Sequence, residues 1–583
     1  MMKGPTTQSG RSKRSRSFGG SARLAVDAVA DIECAGWTEF VRGAFWTSAS
    51  GVRVYADADA FVDAVLAVCG SVWFHAGGSY DILFLLDAAR RRGLGARIVL
   101  SGSRVLSATV GRTTLRDSYA LIPLSLAKAA PMFGAVKSET GLLCECGANC
   151  GGYCAIRRDL PRALMTRLES YLAQDVEATR AVVTGALEWL REHGAEPRAT
   201  IGATAWQWAK RYLDLPDADR CWYHHSRRAY YGGRVEVYRT TAEHIWRYDI
   251  HSSYPAALSR TALPVGEPAV RTGTGASRAY REGAEGIYHT RVRVSDVLTP
   301  PLPVRTAERL LFPSGTMEGW WTGLELRAAE AVGARVERVM FALAYPRAEA
   351  TLAPWCRMVW GLRSTDKSRA PWIKLIANSL TGKLAQRAET RAVRMLAAGE
   401  SPREGEEPVG PLSLGILART LSRVPSCAHV EWAAYLTAAA RAELGAQLRH
   451  AGDDAVYCDT DSVYATRPLT RRVGDELGEW GYEGEGREWL ALAPKLYSYL
   501  APDGKEHTRA KGFPRATRDD LLALARGGTV RRDSGVRKFL SAARGGNLWA
   551  RASMARCLHR EPGRVGGRIL AGDGIRTLPP RCE

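Results

Sequence analysis

Three short stretches bring together residue types that can do chemistry. They are Tyr248-Asp249-Ile250-His251-Ser252-Ser253-Tyr254-Pro255, then Lys374-Leu375-Ile376-Ala377-Asn378-Ser379-Leu380-Thr381-Gly382, then Tyr457-Cys458-Asp459-Thr460-Asp461-Ser462. Separated carboxylates can share a pair of divalent cations, and a lysine beside them can hold a triphosphate. The chemistry this suits is nucleotidyl transfer assisted by Mg2+ or Mn2+. A second acid set lies upstream: Asp31 and Glu33, Asp81 after His75-Ala76-Gly77-Gly78-Ser79-Tyr80, and Tyr171 with Asp175. Four acids and a tyrosine suit metal-assisted phosphodiester hydrolysis. Each stretch alone has an ordinary structural reading, such as a surface turn or a solvated helix face. Only the ordered set points to the chemistry.

The elements that must position these residues are legible in outline. His244-Ile245-Trp246-Arg247-Tyr248 is an apolar strand that delivers Asp249 at its end, and Tyr254-Pro255 starts a helix. Ala455 to Tyr464 predicts a β-hairpin with Asp459 and Asp461 at its tip. Lys374, Asn378, Thr381 and Gly382 fall on one face of a helix. There Lys374 can neutralise triphosphate charge and Gly382 lets a base pair approach. Leu164 to His193 has the apolar spacing of a long helix, with Tyr171 and Asp175 one turn apart. Ser71–Phe74 and 96–100 read as strands, 430–448 as a helix, and 273–283 and 398–411 as loops.

The chain has 583 residues and exceeds a single core, so several domains are expected. Residues 1–22 are a basic tail expected to be disordered, 23–196 an α/β domain, and 197–583 a larger α+β region. A net charge of +20 and a pI near 9.6 favour a polyanionic partner. No apolar run approaches the roughly 20 residues needed to span a bilayer, so no membrane partner is expected. Arg11, Lys13, Arg14 and Arg16 precede no apolar stretch, unlike a secretory signal. With twelve cysteines and no such signal, a reducing compartment, the cytoplasm, is expected. Cys144, Cys146, Cys150 and Cys154 could close a tetrahedral zinc site; free or redox-active thiols and an iron–sulfur cluster are the alternatives.

In order and wording, the three stretches resemble motifs A, B and C of the family B DNA polymerases. Tyr230-Tyr231-Gly232-Gly233 is similar to that family's template-contacting motif, and Lys495-Leu496-Tyr497 to its primer-terminus motif. The upstream acids resemble the motifs Exo I, II and III. Length and spacing are similar to the protein-primed subgroup of phages and linear plasmids. The resemblance implies an RNase H-like 3′–5′ exonuclease domain followed by a right-hand polymerase domain, with fingers around 361–390 and a thumb about 500–583. Arg531, Arg532, Arg537, Lys538 and Arg544 would lie in the thumb.

The resemblance further implies that Asp249 and Asp461 are metal ligands and that Asp459 supports them. Tyr254 would exclude a ribose 2′-OH. Lys374, Asn378, Thr381 and Gly382 would meet the nucleotide, and Ser252, Tyr230, Gly232, Gly233, Lys495 and Tyr497 the DNA. Asp31, Glu33, Asp81 and Asp175 would hold the exonuclease metals, with Tyr171 beside them. Thr381 stands where the family usually has Tyr, and Ala76 where it often has Asn. The segments 261–360 and 386–426 are long enough for the subgroup's two insertions, which grip terminal protein and aid strand displacement. The implied partners are template and primer DNA, dNTPs and a terminal protein. The rivals are a polymerase using an ordinary primer or none, and a nuclease or DNA-binding protein with a silent polymerase site.

Overall fold

A computed structural model describes residues 24–556 except Trp37, Ser103, 139–155, Glu308, Pro514, 537–538 and Ala550, together with two short strands at 564–565 and 568–569. The N-terminal part is built on strands Ala28–Ala35, Glu39–Thr47, Gly51–Tyr55, Ser71–Phe74, Ala96–Ser101, Arg104–Val110 and Thr113–Asp117. Side chains alternate across this sheet. Ala28, Ala30 and Ile32 pack with Phe61 and Val62 of helix Ala58–Leu66 and Leu85 of helix Asp81–Arg91. Val29, Val41 and Ala44 face the other way, onto Leu168, Leu172 and Val176 of helix Arg162–Glu192. Period-two alternation therefore puts Asp31 and Glu33 on the face covered by the long helix, which carries Tyr171 and Asp175.

The sheet does not stop at the division suggested by the sequence. Strand Glu389–Met395 pairs antiparallel with Ala96–Ser101, opposing Val393 to Ile98. Ile416–Ser422 and Glu407–Pro408 continue outward to make a ten-stranded sheet. A segment read as belonging to the polymerase region thus completes the N-terminal layer.

A second sheet, all antiparallel, has the order Glu506–Ala510, Leu496–Leu500, Trp480–Ala493, Thr241–Ile250, Ser462–Ala465, Ala455–Asp459, Val235–Val237. Helix Val430–Ala451 backs it, burying Leu444, Leu448 and Ala451 against Tyr248, Ile250 and Val463. Helices Ala353–Thr365 and Ala370–Leu384 form a pair, each with proline in its first turn. Trp372 ties this pair to the N-terminal part: its indole N–H donates to Leu121 O at 3.1 Å, and its ring meets Trp189 at 5.4 Å.

Between the strand carrying Asp249 and the helix pair lies a four-stranded sheet in the order Ala269–Thr272, Arg335–Ala344, Gly286–Val294, Gly315–Thr322. The loop expected at 273–283 is instead a helix, Gly273–Arg281. Gly273, Gly275 and β-branched Thr274 disfavour helix, but Ala276 is fully buried and Tyr280 packs on Tyr288 at 5.2 Å. Packing overrides the weak local preference.

The expected thumb is divided. Helix Arg518–Ala525, opened by a Thr517/Asp520 capping box, follows the second sheet. Helix Phe539–Arg544 and the segment after it instead dock on the N-terminal core through Phe539, Ala543 and Leu548, and Trp549 Nε1 donates to Asp87 Oδ2 at 3.1 Å. Arg531 and Arg544 are exposed, while the side chains of Arg532, Arg537 and Lys538 lie outside the described residues.

Candidate active sites

The second sheet assembles its acids by register. Asp249, one residue from the end of its strand, opposes Ser462, and Ser462 opposes Asp459 across the hairpin. The hairpin turns through Thr460 at φ +63°, and Asp461 N donates to Asp459 O at 2.6 Å. Asp461 O in turn accepts from Ile250 N at 2.8 Å, so the two acidic segments are hydrogen-bonded to one another. Lys495, also at positive φ, places Nζ 2.5 and 2.6 Å from the two Asp459 oxygens. Burial, then Asp461 and Glu483, push the Asp249 carboxyl up to about 7, with Lys374 opposing. Burial and Asp459 likewise raise Asp461, again opposed by Lys374. Lys374 therefore faces both acids from helix Ala370–Leu384.

The neighbouring residues fall as follows. Ser252, at φ +59°, precedes the helix Ser253–Arg260 and is buried. Tyr254 is half-buried, and burial, then Tyr230 and Asp461, raise its hydroxyl to about 12. Asn378 is half-buried on the helix with Lys374. Gly382 is exposed, and a Cβ there would meet nothing within 4 Å, so no internal contact demands glycine. Thr381 is 4% exposed and its hydroxyl has no partner, so it sits inward of that face. The Tyr497 hydroxyl lies 3.3 Å from that of Tyr464, and its ring packs 4.9 Å from Trp489.

The upstream acids also converge. Asp31 and Glu33 project from one strand, Asp81 opens the helix Asp81–Arg91, and Asp175 comes from the long helix. Close approach at the helix start depends on small residues: a Cβ on Gly78 would lie 1.9 Å from Val105 O. Ala76, just before, is held at φ +63°. Burial, with Asp81, Asp175 and Glu33, raises Asp31 well above the carboxylate range, although it keeps a partly exposed edge. Burial, then Asp81 and Asp175, push Glu33 to about 8, and burial pushes Asp81 to about 7. Burial raises Asp175, opposed by Lys137 and Tyr171. Lys137 Nζ donates to the Tyr171 hydroxyl at 2.7 Å and ion-pairs with Asp175.

Among the described residues no three His, Cys, Asp or Glu side chains form a ready-made metal cage. Each acid cluster instead has a lysine on one member. The donors nevertheless fit hard divalent cations. Buried carboxylates that raise one another cannot all ionise without added positive charge, and Asp175 Oδ1 is buried with no hydrogen-bond partner. Cys144, Cys146, Cys150 and Cys154 lie outside the described residues.

Lys137, Glu483 and Asp117 were not legible as members of these sites. Lys137 is a lone lysine in sequence, Glu483 reaches Asp249 only because its strand pairs beside it, and Asp117 ion-pairs with Arg104 near Asp81.

The family described as "DNA polymerase type B, organellar and viral" matches residues 157–409. The chain is 26% identical over 471 residues to the DNA-directed DNA polymerase of Enterobacteria phage PRD1, covering 77% of this chain and 76% of that relative. It is also 26% identical over 307 residues to a probable DNA polymerase of Neurospora intermedia; there it covers 48% of this chain but only 31% of the relative's length. The solved structure of Phi29 DNA polymerase complexed with primer-template DNA and incoming nucleotide substrates matches with a TM-score of 0.69 and 17% identity, over 91% of this chain and 98% of that chain. The fold is an exonuclease-type domain followed by a right-hand polymerase domain. By sequence match and fold together, the chain is similar to the family B DNA polymerases of the organellar and viral group.

Proposed function

We propose that this protein is a template-directed DNA polymerase with a 3′–5′ exonuclease, primed by a terminal protein and able to displace a strand. The observation that carries the reading is the meeting of Asp249, Asp459 and Asp461 on neighbouring strands, with Lys374, on a helix, close enough to oppose the rise of Asp249 and Asp461.

Asp249 and Asp461, supported by Asp459, would hold the Mg2+ or Mn2+ of synthesis; Asp31, Glu33, Asp81 and Asp175 would hold those of hydrolysis. Bound there, divalent cations would supply the charge that activates an attacking oxygen and stabilises the leaving oxygen, pyrophosphate in synthesis and the 3′-oxygen in hydrolysis. The chain's own groups do the positioning. Lys374 neutralises triphosphate charge, Asn378 and exposed Gly382 border the nascent pair, and Thr381 packs behind them. The Tyr254 ring occupies the space a ribose 2′-OH would need. Ser252, Tyr230, Gly232 and Gly233 border the template, and Lys495 and Tyr497 the primer end. Lys137 orients the Asp175 carboxylate and the Tyr171 hydroxyl for hydrolysis.

The inserted four-stranded sheet and the hairpin that joins the N-terminal sheet support the protein-primed subgroup, since both lie in the segments assigned to its insertions. Among the described residues no helix is long and apolar enough to cross a membrane, and we place the enzyme in a host cytoplasm. Zinc at Cys144, Cys146, Cys150 and Cys154 is proposed on spacing alone; metal analysis of purified protein tests it.

Primer extension by wild type, Asp461→Ala and Asp31→Ala tests the main reading. Synthesis surviving Asp461→Ala refutes the polymerase site, and 3′ degradation surviving Asp31→Ala refutes the nuclease site. Parallel reactions with a terminal protein, an oligonucleotide primer and bare template separate the priming modes.

A further inference from the structure

Gly232 and Gly233 differ in what surrounds them. A Cβ on Gly232 would meet nothing within 4 Å, whereas one on Gly233 would lie 2.6 Å from Thr460 Oγ1, 2.7 Å from Cγ2 and 2.9 Å from Cβ. Thr460 is the residue that turns the chain between Asp459 and Asp461. It holds φ +63°, where a β-branched residue is strained. Surrounding contacts over-determine that conformation. Thr460 N donates to Arg234 O at 2.7 Å, Thr460 Oγ1 to Asp459 Oδ1 at 3.3 Å, and Asp459 pairs in register with Val235.

The glycine segment cannot retreat to make room. Arg441 Nη1 donates to Tyr231 O at 2.7 Å and to the exposed Gly232's O at 2.9 Å, while its Nε reaches Glu325 Oε1 at 2.8 Å, with Arg441, Tyr231 and Glu325 all buried. On the other side, buried Arg234 donates to Glu236 Oε2 at 2.6 Å and to Pro300 O at 2.8 Å.

We infer that Gly233 is a positioning residue for the acidic turn: its missing side chain seats Thr460, and through Thr460 it sets where Asp459 and Asp461 present their carboxylates. This goes beyond a template-contacting glycine. Its consequence for synthesis rests on the function proposed above.

The test is full-length Gly233→Ala, Thr460→Gly and the double variant, assayed for single-nucleotide kcat and KM, primer-template Kd, 3′ degradation and unfolding midpoint. Displacing the turn by about an ångström should lower kcat about 10²-fold, with KM and degradation within about twofold and any change in Kd smaller than the fall in kcat. Thr460→Gly removes all three clashing atoms and suits φ +63°, so the double variant should regain at least about tenfold. A Gly233→Ala kcat near wild type overturns the inference, as does a loss confined to DNA Kd or a double variant no better than Gly233→Ala. If Gly233→Ala does not fold, the comparison is the double variant against Thr460→Gly alone: equal kcat supports the inference and a further fall overturns it. Asp461→Ala runs alongside. Synthesis surviving it refutes the functional reading, whereas wild-type kcat in Gly233→Ala beside an inactive Asp461→Ala refutes the positioning role alone.

Discussion

The two acid clusters solve one electrostatic problem in different ways. The N-terminal cluster gathers Asp31, Glu33, Asp81 and Asp175 from a strand, a helix start and a crossing helix, inside a sheet covered on both faces. Its acids are the more strongly raised: Glu33 to about 8, Asp81 to about 7, and Asp31 well above the ordinary range. The C-terminal cluster lies on adjacent strand ends and keeps more solvent; Asp249 reaches about 7, and Asp461 is raised with Lys374 and Lys495 both opposing. Its strain is in the backbone instead, where Ser252, Thr460 and Lys495 all hold positive φ. The first site is thus charged with desolvation and the second with geometry.

The sharpest way to break this comparison is to remove one acid from each site. Asp461→Ala should lower primer extension about 10³-fold, the scale of several kcal/mol of lost charge stabilisation, with 3′ degradation within about twofold. Asp31→Ala should do the reverse. Loss of both activities in either variant would mean that the clusters are not independent.

The lysines give the next largest contrast. The Lys137–Asp175 pair is 18% and 6% exposed, the Lys495–Asp459 pair 32% and 22%. Lys137→Met strands a buried carboxylate and should cost about 1–3 kcal/mol of stability. Lys495→Met should cost under about 1 kcal/mol, because water screens the remaining acid. Denaturant unfolding compares them, and equal costs would remove the burial distinction.

Neutralising an acid should have the opposite sign. In chelator at neutral pH, Glu33→Gln removes a carboxyl whose ionisation is opposed by burial, then by Asp81 and Asp175, and should raise the melting midpoint by about 2–4 °C. Asp249→Asn should raise it less, and Mg2+ or Mn2+ should stabilise wild type more than either variant. Calorimetry with and without the ion reads this, and a destabilising Glu33→Gln in chelator would show that a hydrogen bond outweighs the repulsion.

The smallest expected effect concerns the one strained residue beside the N-terminal cluster. Ala76 holds φ +63°, so Ala76→Gly should stabilise by about 0.5–1 kcal/mol. Unchanged or lowered stability in equilibrium unfolding would mean that Ala76 is not strained where it sits.

What could be read from sequence was local. The apolar spacing over 164–193 anticipated helix Arg162–Glu192, and Tyr171 and Asp175 do share its buried face. The apolar runs on either side of Asp459 and Asp461 anticipated their hairpin, because two short apolar strands separated by two residues pair back on one another. The helix Gly273–Arg281 was misread because Ala276 is buried against a sheet that pairs strand Gly286–Val294 with the more distant Arg335–Ala344. Ordered acids, a lysine-bearing helix face and the family resemblance were therefore available from the amino-acid sequence by itself.

The tertiary structure alone decided which distant groups share those sites and how deep they lie. It set Lys137 on Asp175, Glu483 beside Asp249, and Gly233 under Thr460. It also joined strand Glu389–Met395 to Ala96–Ser101, about 300 residues away, and seated Phe539 on the N-terminal core. The physical reason is that local periodicity specifies an element and its buried face, whereas strand partners, burial depth and side-chain fit arise only from contacts between residues far apart in the chain.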